Sequence, residues 1–586
     1  IMSYQLWLAE RAVHAAALIA GYDEGMSNRQ VWNDAALMAA HLFLGQRDAA
    51  AALVCAPTGL AAQLAHGLLH DGSWYEGENY HLFAHRGLWY GVTLAEQAGL
   101  GPLPAELRER FAAGFALPFR TALPDLTFPA RRDSQYAVSL RQWRFAELAE
   151  LGLAREPGDP RLRAALARLY AADVPHADTG RARSTAEAER NEPASALTRA
   201  DLGWRSLLLA LPELPELHAA TPGTELLDGQ GLAVFRRDAG RAYVALDYGH
   251  GGGGHGHPDR LNVLFATGHT RWLDDPGTGS YVDPSLFWYR STLAHHAPLV
   301  DGVSQRRVHG ELLAFDEQGG AGWVDARASE VAPGVVMRRA LVVMGDYWLD
   351  ELTWTAAHDA RIELPFHVAG ARLAVGSWQA AAPAGGEDPS DGFPSLRDVE
   401  RAPAIGAVTR LAADGVQGPA VIAEAQTVDA WVAHGDGASW WRAWAPGPPG
   451  SPARPFAWLR VHGTAGRIVT VWSWRRTVQA VTIEGERTVV SLADGTRHRH
   501  QRWAHGWQVR VGEPHARTVV RLAGARRGSD VPESSPSPSA APGDAEPRSL
   551  GQGALWRFEL GAESYRASED AWQDVGRPSA TVTIGR

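Results

Sequence analysis

The sequence predicts an α+β protein with a helical N-terminal part and an antiparallel β-sheet C-terminal part. Apolar residues recur at three-to-four spacing up to about residue 215, and they alternate at period two beyond it. A chain of 586 residues is also longer than one hydrophobic core usually organises. We therefore expect a helical domain over 1–220 and antiparallel β-sandwich structure over 221–586.

The helical part shows its period in amphipathic runs of ordinary helix length. Examples are NRQVWNDAALMAAHLFLG, PAELRERFAAGFALPF and DPRLRAALARLYAAD. Gly and Pro end these runs, as in LGLAREPGDP, and the loops between them are short. Short loops favour antiparallel helical hairpins that wrap into a larger helical assembly.

The second part reads as strands divided by Gly-rich turns. Its runs include GLAVFRRD, AYVALDYG, NVLFAT, VVMRRALVVMG and RIVTVWSW. Stacked antiparallel sheets are the usual outcome of this pattern. The segment 526–549 is rich in Ser, Pro and Ala, and we expect a disordered insertion there.

Composition excludes several partner classes. The net charge of −10 gives no overall basic field for nucleic acid. No run approaches the roughly 20 apolar residues that a membrane helix needs, and the first residues lack the features of a signal peptide. The chain contains no lysine, so every fixed side-chain cation is a guanidinium, which suits carboxylate and sulfate.

The most informative run is DYGHGGGGHGHPDRLNVLFATGHTRWLDDPGTGSY, which is followed by WYRSTLAHH. His255 and His257 are two residues apart, so they share one face of an extended chain. The later candidates for metal ligands are Asp274, Asp275, His295 and His296. Two neutral imidazoles and a carboxylate make a site for a divalent ion. Each motif alone is usually a solvated turn, and spacing cannot show that the motifs meet in space. Their joint occurrence favours a metal site only together with a family resemblance.

These motifs resemble the heparinase II/III-like polysaccharide lyases, a group of heparinases, alginate lyases and broad glycosaminoglycan lyases. The resemblance covers most of the chain and implies an incomplete α/α toroid followed by a β-sandwich. It implies that His255 faces the substrate, while His257, Asp275 and His295 hold one divalent ion, zinc or manganese. We expect this ion to be structural, because all three ligands come from the β part.

Two of these ligand choices depend on the residues next to them in the sequence. Asp275 is preferred to Asp274 because it directly precedes the Pro-Gly turn. His295 is preferred because the family pattern is Ala-His-Asn, although His296 stands here in place of the Asn.

Two motifs in the helical part resemble the same family. DGSWYEGENYHLFAH matches a segment that places an Asn and a His in the cleft, and we assign these to Asn79 and His81. RRDSQYAVSL matches the segment with the catalytic tyrosine, which is Tyr136 here. Without the resemblance, Asn79 would be an ordinary helix cap, His81 a surface or core histidine and Tyr136 a packed aromatic residue.

The implied chemistry is β-elimination on a uronic acid. Asn79 and a histidine neutralise the carboxylate, and Tyr136, its pKa lowered by adjacent Arg and His, acts as acid or as both acid and base. For one epimer, His81 or His255 is the base. The residues expected to contact substrate are Arg131, Arg132, Trp288 and Tyr289, and Arg290 stays open as an alternative to Trp288 and Tyr289 in WYRSTLAHH.

The expected partner is an anionic uronic-acid polysaccharide. Glycosaminoglycans (heparan sulfate, chondroitin sulfate, hyaluronan) are the first expected substrates, and alginate or another polyuronate is the alternative. A metal-dependent glycan hydrolase and a non-catalytic glycan-binding protein stay open as alternatives. The resemblance implies a periplasmic or secreted protein, and a cytoplasmic one also stays open.

Overall fold

The computed structural model describes residues 2–171, 197–383, 385–415, 427–503, 506–512 and 518–523, with two short strands nearer the C-terminus. The described residues up to 523 belong to one compact unit. In a second unit, β23 (Trp556–Glu559) pairs antiparallel with β24 (Thr581–Ile584). The insertion predicted over 526–549 lies outside the described residues.

Helices fill the N-terminal part, and local signals set several of their ends. Ser27 accepts a hydrogen bond from the backbone N–H of Gln30, and Asp159 caps a helix that begins with Pro160. The helices are α1 Met2–Ile19, α2 Asn28–Phe43, α3 Arg47–Cys55, α4 Leu60–Ala62, α5 Glu78–Ala98, α6 Ala105–Gly114, α7 Leu117–Thr121, α8 Trp143–Arg155, α9 Pro160–Leu169 and α10 Trp204–Leu209. A short α11, Leu286–Tyr289, lies in the β part.

One stretch has the length and composition of a membrane helix. It spans Arg47–Gly67, with a mean hydropathy of 1.3. In the structure α3 ends at Cys55 and the chain turns before α4 begins at Leu60. The stretch is therefore not one straight helix, and it does not establish a membrane span.

In the described part of the larger unit, three antiparallel sheets follow the helices. The first contains β1 Glu225–Leu227, β2 Leu232–Arg237, β3 Ala242–Asp247, β4 Asn262–Thr267 and β5 Thr270–Leu273, in sequence order. The second contains β6 Leu299–Val300, β7 Gly310–Gln318, β8 Ala321–Ala332, β9 Val335–Val343, β10 Tyr347–Phe366, β11 Arg372–Leu373, β12 Gln379–Ala380, β13 Arg397–Pro403, β14 Val408–Asp414, β15 Thr427–Ala433, β16 Ser439–Ala445 and β17 Arg454–Ser473. The third contains β18 Val478–Glu484, β19 Arg487–Leu492, β20 Arg497–Trp503, β21 Gly506–Val511 and β22 Thr518–Leu522.

The first sheet is packed between the helices and the second sheet. On one face, Leu232 and Tyr243 share a core with Leu117 of α7. On the other face, the ring of Phe265 lies 5.5 Å from that of Trp348 in β10. The third sheet packs on the far side of the second, where Trp507 belongs to the shared core. The predicted helical part and antiparallel part are confirmed.

A buried ion network joins α5 to the first sheet. Arg131 lies 2.6 Å from Glu78 at the start of α5 and 2.9 Å from Asp247 at the end of β3. The three side chains are at most 2% exposed. Buried charges are tolerated only when each is paired, so this network fixes the helical part against the sheet.

Replacing Arg131 with Met is expected to lower the free energy of unfolding by about 3–5 kcal/mol, because two buried carboxylates lose their partner. Urea denaturation measures the change. The control is Arg372→Met, which breaks the exposed pair with Asp414 and is expected to change stability by less than about 1 kcal/mol. Equal losses in the two variants would contradict the role given to the buried network.

Candidate functional site

The buried carboxylate of Asp133 lies where the helical part meets the β part. Its Oδ2 accepts hydrogen bonds from His255 Nδ1 at 2.9 Å and from the Tyr281 hydroxyl at 3.0 Å. Its Oδ1 accepts from His257 Nε2 and from Arg290 Nε, both at 3.0 Å. Burial alone would raise the pKa of Asp133, but the donors from His255, His257 and Arg290 hold it well below its usual range. Asp133 is therefore a charged acceptor shared by four side chains.

His255 and two tyrosines form the accessible side of this cluster. The Tyr80 ring stacks on the His255 imidazole with centroids 3.9 Å apart, and the Tyr80 and Tyr281 hydroxyl oxygens are 2.9 Å apart. The other imidazole nitrogen, Nε2, lies 3.5 Å from Oε1 of Glu76. The His255 side chain is 25% exposed, so a ligand can reach it.

The glycine run brings His255 to Asp133. Gly252 and Gly253 have φ of +75° and +58°, which side chains rarely adopt, and His255 ends the short turn that they begin. A Cβ on Gly256 would lie only 1.6 Å from the carbonyl oxygen of Gly251. The backbone can fold back on itself here only because these positions are glycine.

Tyr281 is held in its protonated form. Burial, the charge of Asp133 and the neighbouring Tyr80 all raise the pKa of Tyr281 far above its ordinary value. At neutral pH its hydroxyl is therefore protonated, and it donates a hydrogen bond to Asp133.

Behind this cluster, the three predicted metal ligands come together. His257 Nδ1 lies 3.3 Å from His295 Nε2, which lies 3.4 Å from Oδ1 of Asp275. All three side chains are buried, and their candidate ligand atoms lie within 4.8 Å of one another. A tetrahedral ion with bonds of about 2.0–2.1 Å separates its ligands by about 3.3 Å, so the spacing suits a zinc-sized ion.

The remaining polar atoms of the three ligands are already engaged. His257 Nε2 donates to Asp133, and His295 Nδ1 donates to the carbonyl oxygen of Ser291 at 2.8 Å. Asp275 Oδ2 accepts from Asn262 at 3.1 Å. With these two protons in place, His257 Nδ1 and His295 Nε2 are the ring nitrogens that could ligate an ion. Burial alone would lower the pKa of His295, but without an ion the charges of Asp275 and Asp259 raise it to about 9, so an ion would have to displace a proton from this ring.

Comparison with known proteins identifies the β part. Residues 220–442 match the family model described as Heparinase II/III-like, C-terminal. This region belongs to that family. The resemblance that the motifs predicted is thereby confirmed, and the region contains His255, Tyr281 and all three metal-ligand candidates. No curated protein matches the chain in sequence.

Solved structures share the fold of this chain over most of its length. A heparinase III has a TM-score of 0.57 at 12% identity, with 88% of this chain and 70% of that chain covered. The heparan sulfate lyase HepC from Pedobacter heparinus has a TM-score of 0.52 at 10% identity, with 87% and 68% covered. At these identities the likeness shows the fold alone.

Asp274 and His296, which are adjacent in sequence to the chosen ligands, make other contacts in the structure. Asp274 pairs with Arg271. His296 Nε2 accepts a hydrogen bond from the backbone N–H of His367 at 3.2 Å. Neither residue belongs to the group of three candidate ligands found among the described residues.

Tyr136 has different neighbours from those expected. Its ring lies under the guanidinium of Arg271, 5.0 Å from the ring centroid, and its hydroxyl bonds to Asp274. Burial and the charge of Asp274 raise the pKa of Tyr136, whereas a lowered pKa was expected. These contacts do not include the cluster around Asp133; in that cluster the tyrosines are Tyr80 and Tyr281.

His81 and Asn79 lie at the start of α5. His81 is fully buried, its Nδ1 accepts from the backbone N–H of Trp74, and its Nε2 donates to the carbonyl oxygen of Gly114. Burial lowers the pKa of His81 to about 4, so it is neutral and fully hydrogen-bonded. The backbone N–H of Asn79 donates to Ser134 Oγ at 3.3 Å, and its buried Oδ1 has no hydrogen bond to any described residue.

The four residues expected to contact substrate are all buried, and this corrects the expectation. Arg131 belongs to the ion network described above. Arg132 donates to the carbonyl oxygens of Tyr75 and His250, and burial lowers its pKa to about 10. Trp288 and Tyr289 lie in a hydrophobic core of the β part. Buried side chains that already serve the fold offer no surface to a polysaccharide.

Four residues of the cluster were not assigned from the sequence. Each stands within or beside a motif that was used: Glu76 and Tyr80 in the first helical-part motif, Asp133 in the second and Tyr281 at the end of the DDPG run. Arg290 was one of three cleft candidates in WYRST, and of these three it is the one that contacts Asp133. The sequence could not show which member of each motif faces the centre.

Asp133→Asn is expected to lower the free energy of unfolding by about 2 kcal/mol or more, because Arg290 loses its buried counter-charge and a neutral amide replaces an acceptor. Thermal or urea unfolding measures this. The control is Asp359→Asn in β10, an exposed carboxylate whose replacement should leave the unfolding midpoint unchanged. A variant as stable as the native protein would show that Asp133 does not anchor the cluster.

Proposed function

We propose that this protein is a polysaccharide lyase that cleaves uronic-acid glycans by β-elimination, with heparan sulfate as the first substrate to test. One observation carries the proposal: an accessible imidazole and a protonated tyrosine hydroxyl share a buried carboxylate beside a partly exposed guanidinium. Membership of residues 220–442 in the heparinase II/III-like family supports it. The fold likeness to a heparinase III and to a heparan sulfate lyase is consistent with this substrate class.

The proposal extends to the fold. We infer that the helical part is the incomplete α/α toroid of the resemblance and that the stacked sheets are its β-sandwich. Support comes from the shared core of α2 and α5, which contains Val31, Met38, Leu88 and Val92. In such an arrangement the glycan lies across the junction where α5, the segment around Asp133 and the glycine loop meet.

The reaction needs a base, an acid and a cation. The base removes the C5 proton of the uronate, the C4–C5 double bond forms, and the C4–O4 bond breaks. The acid delivers a proton to O4, so no water is consumed. The C5 proton is weakly acidic because the adjacent carboxylate is already negative, and a cation that neutralises this carboxylate lowers the barrier.

We assign His255 as the base and Tyr281 as the acid. His255 donates its Nδ1 proton to Asp133, which leaves the lone pair of the neutral ring on Nε2. Tyr281 keeps its proton because its pKa is raised, and its hydroxyl oxygen is 3.2 Å from His255 Nδ1. Tyr80 stacks on His255 and contacts Tyr281, so it orders both reacting groups.

Arg290 is the cation best placed to neutralise the uronate. It is 27% exposed, and its guanidinium lies 5.2 Å from the centroid of the Tyr281 ring. Asn79 precedes Tyr80 and is a second candidate, as the resemblance implied. Arg131 and Arg132 are buried and are not assigned a contact with the uronate.

We further propose that His257, Asp275 and His295 hold one divalent ion, zinc or manganese. An ion there would fix the His257 ring and, through Asp133, the orientation of His255. All three ligands lie in the β part, so the role assigned to the ion is structural.

The Tyr281→Phe variant is expected to lower kcat on heparan sulfate by at least about a hundredfold, because general acid catalysis contributes that much. The assay follows the ultraviolet absorbance of the conjugated product. Tyr136→Phe is the matched control and is expected to stay within a few-fold of the native rate; loss in this variant alone would move the acid role to Tyr136. No absorbance change with heparan sulfate, chondroitin sulfate, hyaluronan or alginate would overturn the lyase proposal.

His257→Ala is expected to lose both the bound metal and thermal stability, because a coordinated ion contributes folding free energy. Elemental analysis of the purified protein and its melting temperature with and without a chelator test this. His462→Ala removes an exposed histidine and is expected to change neither quantity. Unchanged metal content and melting temperature in His257→Ala would refute the ligand assignment.

A further inference from the structure

We propose that Arg307 and His309 form a second anion-binding site, which takes a sulfate or carboxylate on the sugar next to the one that is cleaved. The inference rests on the proposed lyase function, and it adds a subsite to it. The site is assigned from contacts that both residues make with the glycine loop that carries His255.

Both residues reach the same loop from the segment before β7. Arg307 Nη1 donates to the carbonyl oxygen of Gly253 at 3.1 Å. The backbone N–H of Gly251 donates to His309 Nδ1 at 3.2 Å. The loop therefore contacts a guanidinium at Gly253 and an imidazole at Gly251.

The charge of Arg307 is not compensated by the surrounding residues. In the part of the chain that the structure describes, no carboxylate forms an ion pair with it, and its side chain is exposed. Three other guanidiniums near the site are paired: Arg131 with Glu78 and Asp247, Arg260 with Asp259, and Arg290 with Asp133. Arg132 is buried and donates to backbone carbonyl oxygens. Arg307 thus has its full charge and most of its N–H groups available for an external anion.

His309 supplies a second donor. Because its Nδ1 accepts from Gly251, the proton of the neutral ring is on Nε2. The residue is exposed, so this N–H can reach a ligand. A planar guanidinium beside a neutral N–H donor suits the tetrahedral oxygens of a sulfate or the two oxygens of a carboxylate.

The carbonyl group that Arg307 contacts is close to His255 along the chain. Gly253 precedes His255 by two residues, so their Cα atoms are at most about 7 Å apart. The proposal places substituents of the adjacent sugar unit at Arg307 when the C5 proton lies at His255. Binding there would raise affinity without contributing to proton transfer.

The decisive variant is Arg307→Gln. On heparan sulfate we expect KM to rise about tenfold, the usual effect of losing one charge-assisted hydrogen bond, while kcat stays within about twofold. The adjacent Arg306→Gln is the matched control, since it removes the same charge, but Arg306 is paired with Glu330 at 3.6 Å. Its KM is expected to equal that of the native protein.

A desulfated, N-acetylated heparan chain identifies the bound group. If the rise in KM disappears on this polymer, the group is a sulfate; if the rise persists, it is the carboxylate. Unchanged KM on both polymers, or an equal rise in the Arg306 variant, would overturn the proposed subsite.

Direct binding separates this inference from the proposed reaction. Calorimetric titration of heparan sulfate oligosaccharides into the Tyr281→Phe protein, with and without Arg307→Gln, is expected to show about a tenfold difference in Kd. Binding with this difference but no cleavage by the native protein would refute the lyase function and support the subsite. The absence of any binding would overturn both.

Discussion

The carboxylate of Asp133 is the constraint on which the site depends. It is fully buried, yet it remains charged because His255, His257, Tyr281 and Arg290 all donate to it. Two of these donors are histidines two residues apart, and their rings serve different purposes. His257 faces the metal-ligand candidates and His255 faces the accessible side. One carboxylate thereby sets the orientation of both rings. The proposed structural ion and the proposed acid–base pair are therefore linked through the hydrogen bonds of Asp133.

Paired guanidiniums also connect the elements that meet at the junction of the helical part and the β part. Arg131 joins α5 to the first sheet, and Arg290 joins the β part to the segment that contains Asp133. A guanidinium keeps its charge when buried and bonds in several fixed directions, so it can bridge elements from different parts of a chain that has no lysine. The consequence for function is that few cations at the site are left for a substrate, and Arg307 is one of them.

Sequence reasoning located the site but did not identify all of its members. The three metal-ligand candidates were predicted as a group from motifs far apart in the sequence, and the structure places their ligand atoms within 4.8 Å of one another; that they bind an ion stays a prediction. Tyr136 and His81 were chosen from motifs that also contain Asp133 and Tyr80. Adjacent residues on a helix or irregular segment point in different directions, and only the packing decides which of them faces the centre. Burial had the same effect on Arg131, Arg132, Trp288 and Tyr289, whose residue types suited a sugar but whose places are in the interior.

The sequence by itself determined the two periodicities, the position of the change between them, and the HGH, DDPG and AHH motifs with their family resemblance. These are local properties, since apolar spacing and turn residues act over a few positions. Only the tertiary structure decided that Asp133 would accept hydrogen bonds from two histidines. It also decided that the hydroxyl of Tyr281 would contact that of Tyr80, 201 positions away, and that the four substrate candidates would be buried. Contacts of that separation arise when whole elements pack together, because backbone direction and burial at each position are then fixed jointly by many distant residues.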